Sequence, residues 1–383
     1  MRDFGWLGGT RRRGQMLATG VILASLAVVQ AAASPAGATP ASKAGWHVIR
    51  TIGPDNTDLY VIAAIRNHPS WLGGGALAPA GQFYAAVYRL TSGPLHQTAL
   101  STQLGSGVNG LSATSRTNVW ASVQGTAHGP QVDRLTSRGW HPYSFAIGTD
   151  DILLAPVVTT GPKNTWVLTE DFTTKIAYGY RFNGSTWHRR KLPAAPDANS
   201  SIGYVTASAS NNIWALTSAG SQPASMRYNG SKWQVISFPA KLGPAAADLG
   251  PQQILAVSPK DVWATFSPNA TTGTGTLVLL HWNGRKWSKI TGKLPNASLT
   301  GAIASDGTGG VWLAALNAAD TVPLILHYSH GKWSTFTVPK AKGKLIGIEQ
   351  LALIPGTRSV LGTAIIAGSG ESTSGTAEVG FQP

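Results

Sequence analysis

The sequence contains no cysteine and only three methionines among its 383 residues. Without cysteine, the protein cannot form a disulfide framework, a thiolate metal site or a cysteine nucleophile. Charged residues are scarce too, at 12% of the chain. No phosphate-binding glycine loop, nucleophile elbow, zinc motif or dinucleotide fingerprint is present. Packing must therefore stabilise the fold, and the enzyme classes that those motifs define are excluded.

Glycine, proline and tryptophan are plentiful by contrast, with 45, 23 and 14 copies. This composition is typical of many short strands joined by tight turns. The length would suit two average domains, although a large repeat fold can form a single domain of this size. Composition therefore favours an all-β chain and disfavours a helical bundle.

The first 38 residues have the pattern of an export signal. Arg11-Arg12-Arg13 precede an apolar run from Met16 to about Val29, and Ala31-Ala32-Ala33 and Ala36-Gly37-Ala38 offer small residues for cleavage. We predict a signal peptide at 1–38, a linker at 39–45 and a folded domain at 46–383. The protein is then secreted or held at the cell surface, with no stable membrane insertion after cleavage. An uncleaved anchor is the alternative.

The chain is basic, with a net charge of +14. Residues 1–38 contain four arginines and one aspartate, so the remainder carries +11. Such a surplus attracts anionic partners over long range. An anionic polysaccharide or an envelope protein is the partner that this charge favours. Nucleic acid is not expected, because no recognisable reader motif accompanies the charge.

A tryptophan recurs at nearly constant spacing through the chain. The series is Trp71, Trp120, Trp166, Trp214, Trp263 and Trp312, with spacings of 49, 46, 48, 49 and 49 residues. Five of these follow a short motif: Asn118-Val119, Asn164-Thr165, Asn212-Ile213, Asp261-Val262 and Gly310-Val311. This regularity indicates a structural repeat of about 48 residues.

A second mark follows in most units, in which a basic residue, an aromatic residue and a tight turn lead to another tryptophan. Examples are Arg181-Phe182-Asn183-Gly184 before Trp187, Arg227-Tyr228-Asn229-Gly230 before Trp233 and His281-Trp282-Asn283-Gly284 before Trp287. Asn-Gly between apolar strands is a strong hairpin signal, because both positions tolerate positive φ. Each unit therefore has four strands, which is the size of a β-propeller blade.

Seven such units account for the chain from Trp46 to Pro383, because 338 residues divide into units of about 48. The last unit, from Ser359 to Phe381, is incomplete. We expect the N-terminus to complete it. With the tryptophan strand counted as the first of each unit, Gly45–Arg50 would be the third strand and Leu59–Ile65 the fourth. The sequence thus predicts an all-β, seven-bladed β-propeller whose last blade is closed by N- and C-terminal strands, which protects the sheet edges.

These repeats resemble the Trp-rich propeller repeats of bacterial exported proteins, on the strength of Asp261-Val262-Trp263-Ala264 and His281-Trp282-Asn283-Gly284 before Trp287. The resemblance to kelch propellers is distant and rests on Gly73-Gly74-Gly75. The resemblance to sialidase-type propellers, through Ser305-Asp306-Gly307, is equally distant. These resemblances imply a propeller fold, and no catalytic residue is carried over from these families.

Residues repeated in every unit have a structural interpretation. The tryptophans are expected to pack between neighbouring blades. A cationic series at one strand position comprises Arg89, Arg134, Arg181, Arg227, His281 and His327. These side chains are expected to stack on indoles, and the alternative is an anion-binding ring. The other histidines are scattered, so no metal site and no cofactor are predicted.

Functional residues are expected in loops, where the symmetry breaks. Counting the tryptophan strand as the first of each unit, the first-to-second and third-to-fourth connections share one face and contain the long loops. The candidate ligand-binding residues on that face are Glu170, Asp171, Phe172, Asp320, Lys340, Lys342 and Lys344. Paired acids there suit glycoside hydrolysis or cation binding, and the lysines suit an anionic polymer. Solvated loop residues are the alternative for each.

Three functions are compatible with these patterns. The first is a non-catalytic recognition module, a monomer that binds a carbohydrate or a protein of the cell envelope on the long-loop face; this assignment rests largely on fold analogy. The second is a glycan-active hydrolase or lyase that uses loop carboxylates such as Glu170 and Asp171. The third is a structural protein of the envelope. No catalytic residue is assigned.

Overall fold

The computed structural model describes residues 45–383, apart from 53–56, 68, 78–82, 92–94, 99, 101–106, 125–130, 144–150, 154–155, 172, 195–200, 219–222, 240–241, 243–248, 269–276, 293–296, 318–321, 339–343 and 368–373. The described residues form 29 β-strands in seven sheets. They include no helix that is long and apolar enough to span a membrane.

Strands pair antiparallel in sequence order within each sheet, and each sheet is one blade. Strand β1 (Gly45–Ile52) lies apart from the first blade. Blade 1 contains β2 (Thr57–Ala63), β3 (Trp71–Leu77), β4 (Phe83–Arg89) and β5 (His96–Thr98). Blade 2 contains β6 (Gly107–Ser115), β7 (Asn118–Gln124), β8 (Gln131–Thr136) and β9 (Gly139–Tyr143). Blade 3 contains β10 (Asp151–Leu153), β11 (Val158–Gly161), β12 (Asn164–Asp171), β13 (Ile176–Phe182) and β14 (Trp187–Lys191).

The remaining blades follow the same order. Blade 4 contains β15 (Ser201–Ala209), β16 (Asn212–Ser218), β17 (Ala224–Tyr228) and β18 (Trp233–Ser237). Blade 5 contains β19 (Leu249–Ser258), β20 (Asp261–Pro268), β21 (Val278–Trp282) and β22 (Trp287–Lys289). Blade 6 contains β23 (Ala297–Ser305), β24 (Val311–Asn317), β25 (Pro323–Ser329) and β26 (Lys332–Thr337). Blade 7 contains β27 (Lys344–Leu353), β28 (Val360–Ala367), β29 (Ser374–Gln382) and β1.

The first strands of consecutive blades contact one another all the way round the molecule. β2 contacts β6, and the contacts continue through β11, β15, β19, β23 and β27 back to β2. These strands therefore form the inner wall of a ring. The seven-bladed β-propeller predicted from the repeat is confirmed.

The predicted closure by both termini is also confirmed, but one strand was assigned wrongly. β1 pairs with β29, from Gly45 opposite Gln382 to Ile52 opposite Thr376. Leu59 and its neighbours do not join this blade, because they pair with β3 as the inner strand of blade 1. The innermost position of blade 7 is filled instead by β27. The N-terminus therefore contributes one strand to the shared blade, and the tryptophan strand is the second of each blade.

The antiparallel order places the connections on two faces. Connections from the second to the third strand, and from the fourth strand to the next blade, leave on one face, which we name the long-loop face. Connections from the first to the second strand and from the third to the fourth leave on the opposite, short-turn face. Correcting the strand count does not change this grouping, because the same connections stay together.

The Asn-Gly turns on the short-turn face form as predicted. Gly184, Gly230 and Gly284 all adopt positive φ, between 94° and 111°. The preceding asparagine closes each turn: Asn183 Oδ1 accepts hydrogen bonds from the backbone amides of Ser185 and Thr186, at 3.0 and 2.9 Å. These turns fix the register of the third and fourth strands.

The repeated tryptophans pack between blades, as expected. Trp120, Trp166 and Trp214 are fully buried. The indole of Trp214 meets two rings of the next blade, Trp282 at 5.3 Å and Trp287 at 5.5 Å between centroids. The corresponding third-strand contacts at other interfaces are Trp120–Phe182, Trp166–Tyr228, Trp263–Tyr328 and Trp312–Phe381. Edge-to-face packing of this kind adds to the stability gained by burying the rings.

Candidate functional site

Four of the six repeated cationic residues stack on the tryptophan of their own blade. Arg134 and Arg227 lie over the indoles of Trp120 and Trp214, with the guanidinium carbon 5.3 and 5.4 Å from the ring centroids. His327 stacks on Trp312 with centroids 3.8 Å apart, and His281 stacks on Trp263 in the same way. At these four positions the stacked interpretation is therefore preferred to an anion-binding ring.

The His327 ring is held by a buried carboxylate. Its Nε2 lies 3.0 Å from Asp306 Oδ2, and because an ionised carboxylate only accepts, the imidazole must donate. Burial would raise the pKa of Asp306. The hydrogen bonds from His327 and from the backbone amides of Thr308 and Gly310 outweigh that effect and lower the pKa to about 2. Asp306 therefore stabilises the fold as a carboxylate.

We expect Asp306→Asn to lower the free energy of unfolding at pH 7 by about 1–2 kcal/mol. An acid whose pKa falls on folding stabilises the protein above its unfolded pKa, here 3.8, and this contribution is lost as pH falls toward 2. The measurement is urea denaturation at several pH values. The parent chain should lose stability between about pH 4 and pH 2 more steeply than the variant.

Asp261→Asn is the matched control for this experiment, because Asp261 makes the same contact to His281 at 2.9 Å in the neighbouring blade. The side chain of Asp261 is 24% exposed and that of Asp306 only 5%. Water screens the first contact more, so its loss should cost less. Equal losses for the two variants at pH 7 would contradict the role assigned to burial.

Of the acids predicted to bind a ligand, Glu170 lies inside the protein. It is 2% exposed near the long-loop end of β12. Burial raises the pKa of its carboxyl, and the charge of Lys175 and a hydrogen bond from the Ile202 backbone lower it to a smaller extent. Its Oε2 atom has no hydrogen-bond partner in the described structure. The side chain is therefore packed where blade 3 meets blade 4.

Asp171 has a different environment, because adjacent residues of a strand point to opposite sides. Its Oδ1 accepts hydrogen bonds from the backbone amides of Thr173 and Thr174, both at 2.9 Å. The Thr174 bonds are the main cause that lowers the pKa of this exposed carboxyl. Asp171 thus closes the turn between β12 and β13. The alternation along the strand separates the two carboxyls that the sequence places side by side.

The other predicted residues are placed only in part. Phe172, Asp320, Lys340 and Lys342 lie outside the described residues. Lys344 begins β27 and pairs with Ala367, which places it at the long-loop end of the inner wall. The loop site built on these residues remains a prediction.

The inner wall carries a feature that the repeat analysis did not reveal. Five inner strands have a bulge at the same position, three residues before the residue that pairs with the second-strand tryptophan or with its counterpart in blade 7. These bulge residues are Tyr60, Asn109, Gly203, Gln252 and Glu349. In blade 6 the irregularity spans residues 300–302. A bulge bends the strand and redirects its side chain. The position is common to the blades, but its chemistry differs from blade to blade.

Two bulge residues and one neighbour form a polar group, the mouth cluster, which comprises Asp58, Tyr60 and Glu349. Asp58 and Tyr60 belong to β2, and Glu349 belongs to β27 of the adjoining blade. All three are partly exposed. Asp58 is the second residue of its strand, directly below the connection from blade 7, so the cluster lies toward the long-loop face.

The charge of Asp58 acts on both other groups of the cluster. Burial raises the pKa of Glu349, and the charge of Asp58 raises it further. Burial, and then the charge of Asp58, also raise the pKa of Tyr60. Burial alone raises the pKa of Asp58. The Oδ1 atom of Asp58 is buried without a hydrogen-bond partner in the described structure. The cluster thus offers one acceptor oxygen, Asp58 Oδ1, that the described protein does not satisfy.

Two further observations define the surroundings of the cluster. Gln350, next to Glu349, accepts a hydrogen bond from the backbone amide of Ile62 and so joins blade 7 to blade 1. Ile346 is 43% exposed on the same strand, which adds an apolar surface. The described residues include no group of three or more histidines and acids placed to hold a metal ion.

The chain matches no protein-family model, and no curated protein is significantly similar to it. Solved structures are similar in fold. YCF48 from Cyanidioschyzon merolae gives a TM-score of 0.58 at 15% identity, covering 89% of this chain and 99% of that one. YCF48 bound to D1 peptide gives 0.57 at 14%, covering 91% and 99%. The WD40 propeller domain of Doa1 gives 0.54 at 13%, covering 89% and 98%.

At these identities the similarity establishes the fold and nothing more. The chain is a seven-bladed β-propeller in which the N-terminal strand completes the last blade. The Trp-rich repeat family suggested by the sequence remains a resemblance.

Proposed function

We propose that this protein is a non-catalytic recognition module and that the mouth cluster is its binding site. The observation that carries the proposal is the convergence of Asp58, Tyr60 and Glu349 on the inner wall, where Asp58 Oδ1 is buried without a hydrogen-bond partner in the described structure. Binding sites of proteins are concave and present a few convergent polar groups. The inner wall of a ring, near the face with the long connections, meets both conditions.

The chemistry of the cluster favours a ligand that donates hydrogen bonds. Carboxylates accept only, so Asp58 and Glu349 suit the hydroxyls of a carbohydrate. Ile346, exposed on the same strand as Glu349, offers an apolar surface, which suits the C–H face of a sugar ring. A protein partner is the alternative, and the peptide held by YCF48 shows that a related propeller can accommodate one. We propose an envelope carbohydrate as the ligand.

We further propose that the protein acts outside the cytoplasm, as a secreted or surface-bound monomer. The support is the pattern of residues 1–38, with its basic start, apolar run and small residues before Ala33 and Ala38. The charge of +11 carried by the rest of the chain would raise the local concentration of an anionic polysaccharide around the protein, whereas the mouth cluster itself would contact uncharged sugar hydroxyls.

One observation also favours the second candidate, a glycan-active hydrolase. Asp58 and Glu349 are neighbouring carboxyls whose pKa values are both raised, and glycosidases use paired carboxyls in which one remains protonated. The two functions differ in whether a bound glycan is consumed.

The decisive experiment is binding of the purified protein to a panel of envelope polysaccharides, with release of reducing ends measured in parallel. We expect binding without product. Asp58→Asn and Glu349→Gln should each weaken binding about tenfold or more, because a charge-assisted hydrogen bond is lost in each case. Melting temperature should not fall, because removing a partly buried charge relieves its desolvation. Asp171→Asn is the control, since it removes one exposed acid on the same face and its amide oxygen can still close the turn.

The outcomes separate the alternatives. Product release that both cluster variants abolish would establish the hydrolase. If binding survives both variants but falls when Lys340, Lys342 and Lys344 are replaced together by serine, the loop lysines form the site and the proposal is wrong. In that case binding should also weaken steeply with salt.

A further inference from the structure

A cavity of about 310 Å³ lies between blades 1 and 2. It is lined by Pro69, Trp71, Arg89, Arg116, Thr117 and Leu135. These residues flank the connections from the first to the second strand and the ends of the third strands. The cavity therefore opens toward the short-turn face and is separate from the mouth cluster. Neither the repeat nor the proposed function accounts for it.

The cavity lies where the aromatic packing between blades is interrupted. At five other interfaces the indole of the second strand contacts an aromatic ring in the third strand of the next blade, as Trp120 contacts Phe182. That aromatic residue directly follows the repeated cationic residue of its strand, or a glycine in blade 7. In blade 2 that position holds Leu135, which follows Arg134. Trp71 keeps only the more distant contact to Trp140, with centroids 6.2 Å apart. Leucine and Trp71 thus line a space that a second ring would fill.

A second substitution removes the polar side chain that accepts the indole hydrogen bond in other blades. In blades 2 and 4, Asn118 and Asn212 stand two residues before the tryptophan and accept its indole N–H, both at 3.0 Å. In blade 1 this position is Pro69, whose side chain accepts nothing. The Nε atom of Arg89 is buried without a hydrogen-bond partner in the described structure, as are those of Arg134 and Arg227 in the two blades that keep the asparagine.

The lining of the cavity is positively charged. Arg89 and Arg116 are both cations, and none of the six lining residues is acidic. Arginine forks match a carboxylate in geometry, while Trp71, Leu135 and Pro69 offer apolar surface. We propose that the cavity between blades 1 and 2 binds a small carboxylate with an apolar body. The two arginines bind the carboxylate group, and the indole of Trp71 packs against the apolar body.

The test uses phenylacetate as the probe and titration calorimetry at low salt as the measurement. We expect a dissociation constant of about 1 mM or tighter. Arg116→Gln should weaken binding about tenfold. Arg138→Gln is the matched control, because Arg138 is exposed in the neighbouring turn of blade 2 and lies outside the lining. Phenylacetamide, which has the same body without the charge, should bind at least about tenfold more weakly than phenylacetate.

Leu135→Phe provides a test that does not depend on removing a charge. Phenylalanine at this position would give Trp71 the kind of ring contact that Trp120 has with Phe182. Because the new ring would fill the space, the variant should keep its melting temperature and lose phenylacetate binding. Asp58→Asn should leave phenylacetate binding unchanged, which separates this site from the mouth cluster. The proposal is overturned if phenylacetate does not bind, or if it binds equally to the parent chain, Arg116→Gln and Leu135→Phe.

Discussion

A chain that lacks residues 1–52 is expected to melt about 10 °C or more below the full chain and to aggregate. The deletion removes β1, whose Trp46 packs 5.4 Å from Trp312 and 5.7 Å from Phe381 between ring centroids. It also exposes the backbone edge of β29, which pairs with β1 along its length. Open edges with apolar faces promote association between chains.

The deletion has an electrostatic cost as well. Arg50 Nε lies 2.8 Å from Glu378 Oε2, and Glu378 is 3% exposed. Burial already raises the pKa of Glu378, and only Arg50 opposes that effect. Without Arg50 the carboxylate is left buried and unpaired, which is strongly destabilising. Thermal unfolding and size-exclusion chromatography are the measurements.

A chain that lacks only residues 1–44 is the control, and it should melt like the full chain because β1 remains intact. Equal melting temperatures for the two deletions would mean that β1 does not close the ring.

The second large effect is expected for Trp214→Ala. Trp214 is fully buried and contacts Trp282 and Trp287 of the next blade. Its removal should lower the free energy of unfolding by about 3–5 kcal/mol, because it leaves a cavity that rigid sheets cannot close. Guanidinium denaturation gives this value.

Trp71→Ala provides the comparison, because it removes the same side chain from the equivalent position of blade 1. Trp71 already borders a cavity and has a single, longer ring contact. The loss there should be clearly smaller. A larger loss at Trp71 than at Trp214 would contradict the account of interblade packing.

The sequence predicted the ring well, because its markers are backbone and packing requirements repeated in every blade. Trp120, Trp166 and Trp214 mark second strands, and Asn183-Gly184 and its counterparts mark the turn between the third and fourth strands. The inner strands have no such marker. Their bulges interrupt the alternation of exposed and buried residues that identifies a strand, and for this reason Leu59–Ile65 was assigned to the wrong blade.

The candidate sites were harder to predict. Asp58 and Glu349 are nearly 300 residues apart in sequence and meet only because β2 and β27 adjoin at the ring closure. No local pattern could reveal that contact. The cavity did leave a signal, because Leu135 and Pro69 stand where the repeat has an aromatic residue and an asparagine or aspartate. Departures from a repeat are therefore as informative as the repeat itself.

The pairing of β1 with β29 also has a consequence for how the molecule folds. β1 precedes blades 1 to 6 in the sequence, but its partner β29 follows them. Blades 1 to 6 can form as the chain lengthens, since each is contiguous in sequence. Blade 7 can close only after β29 has been synthesised, and until then β1 lacks its partner strand. Contacts of such long sequence separation slow folding, so ring closure is expected to be the last and slowest step of folding.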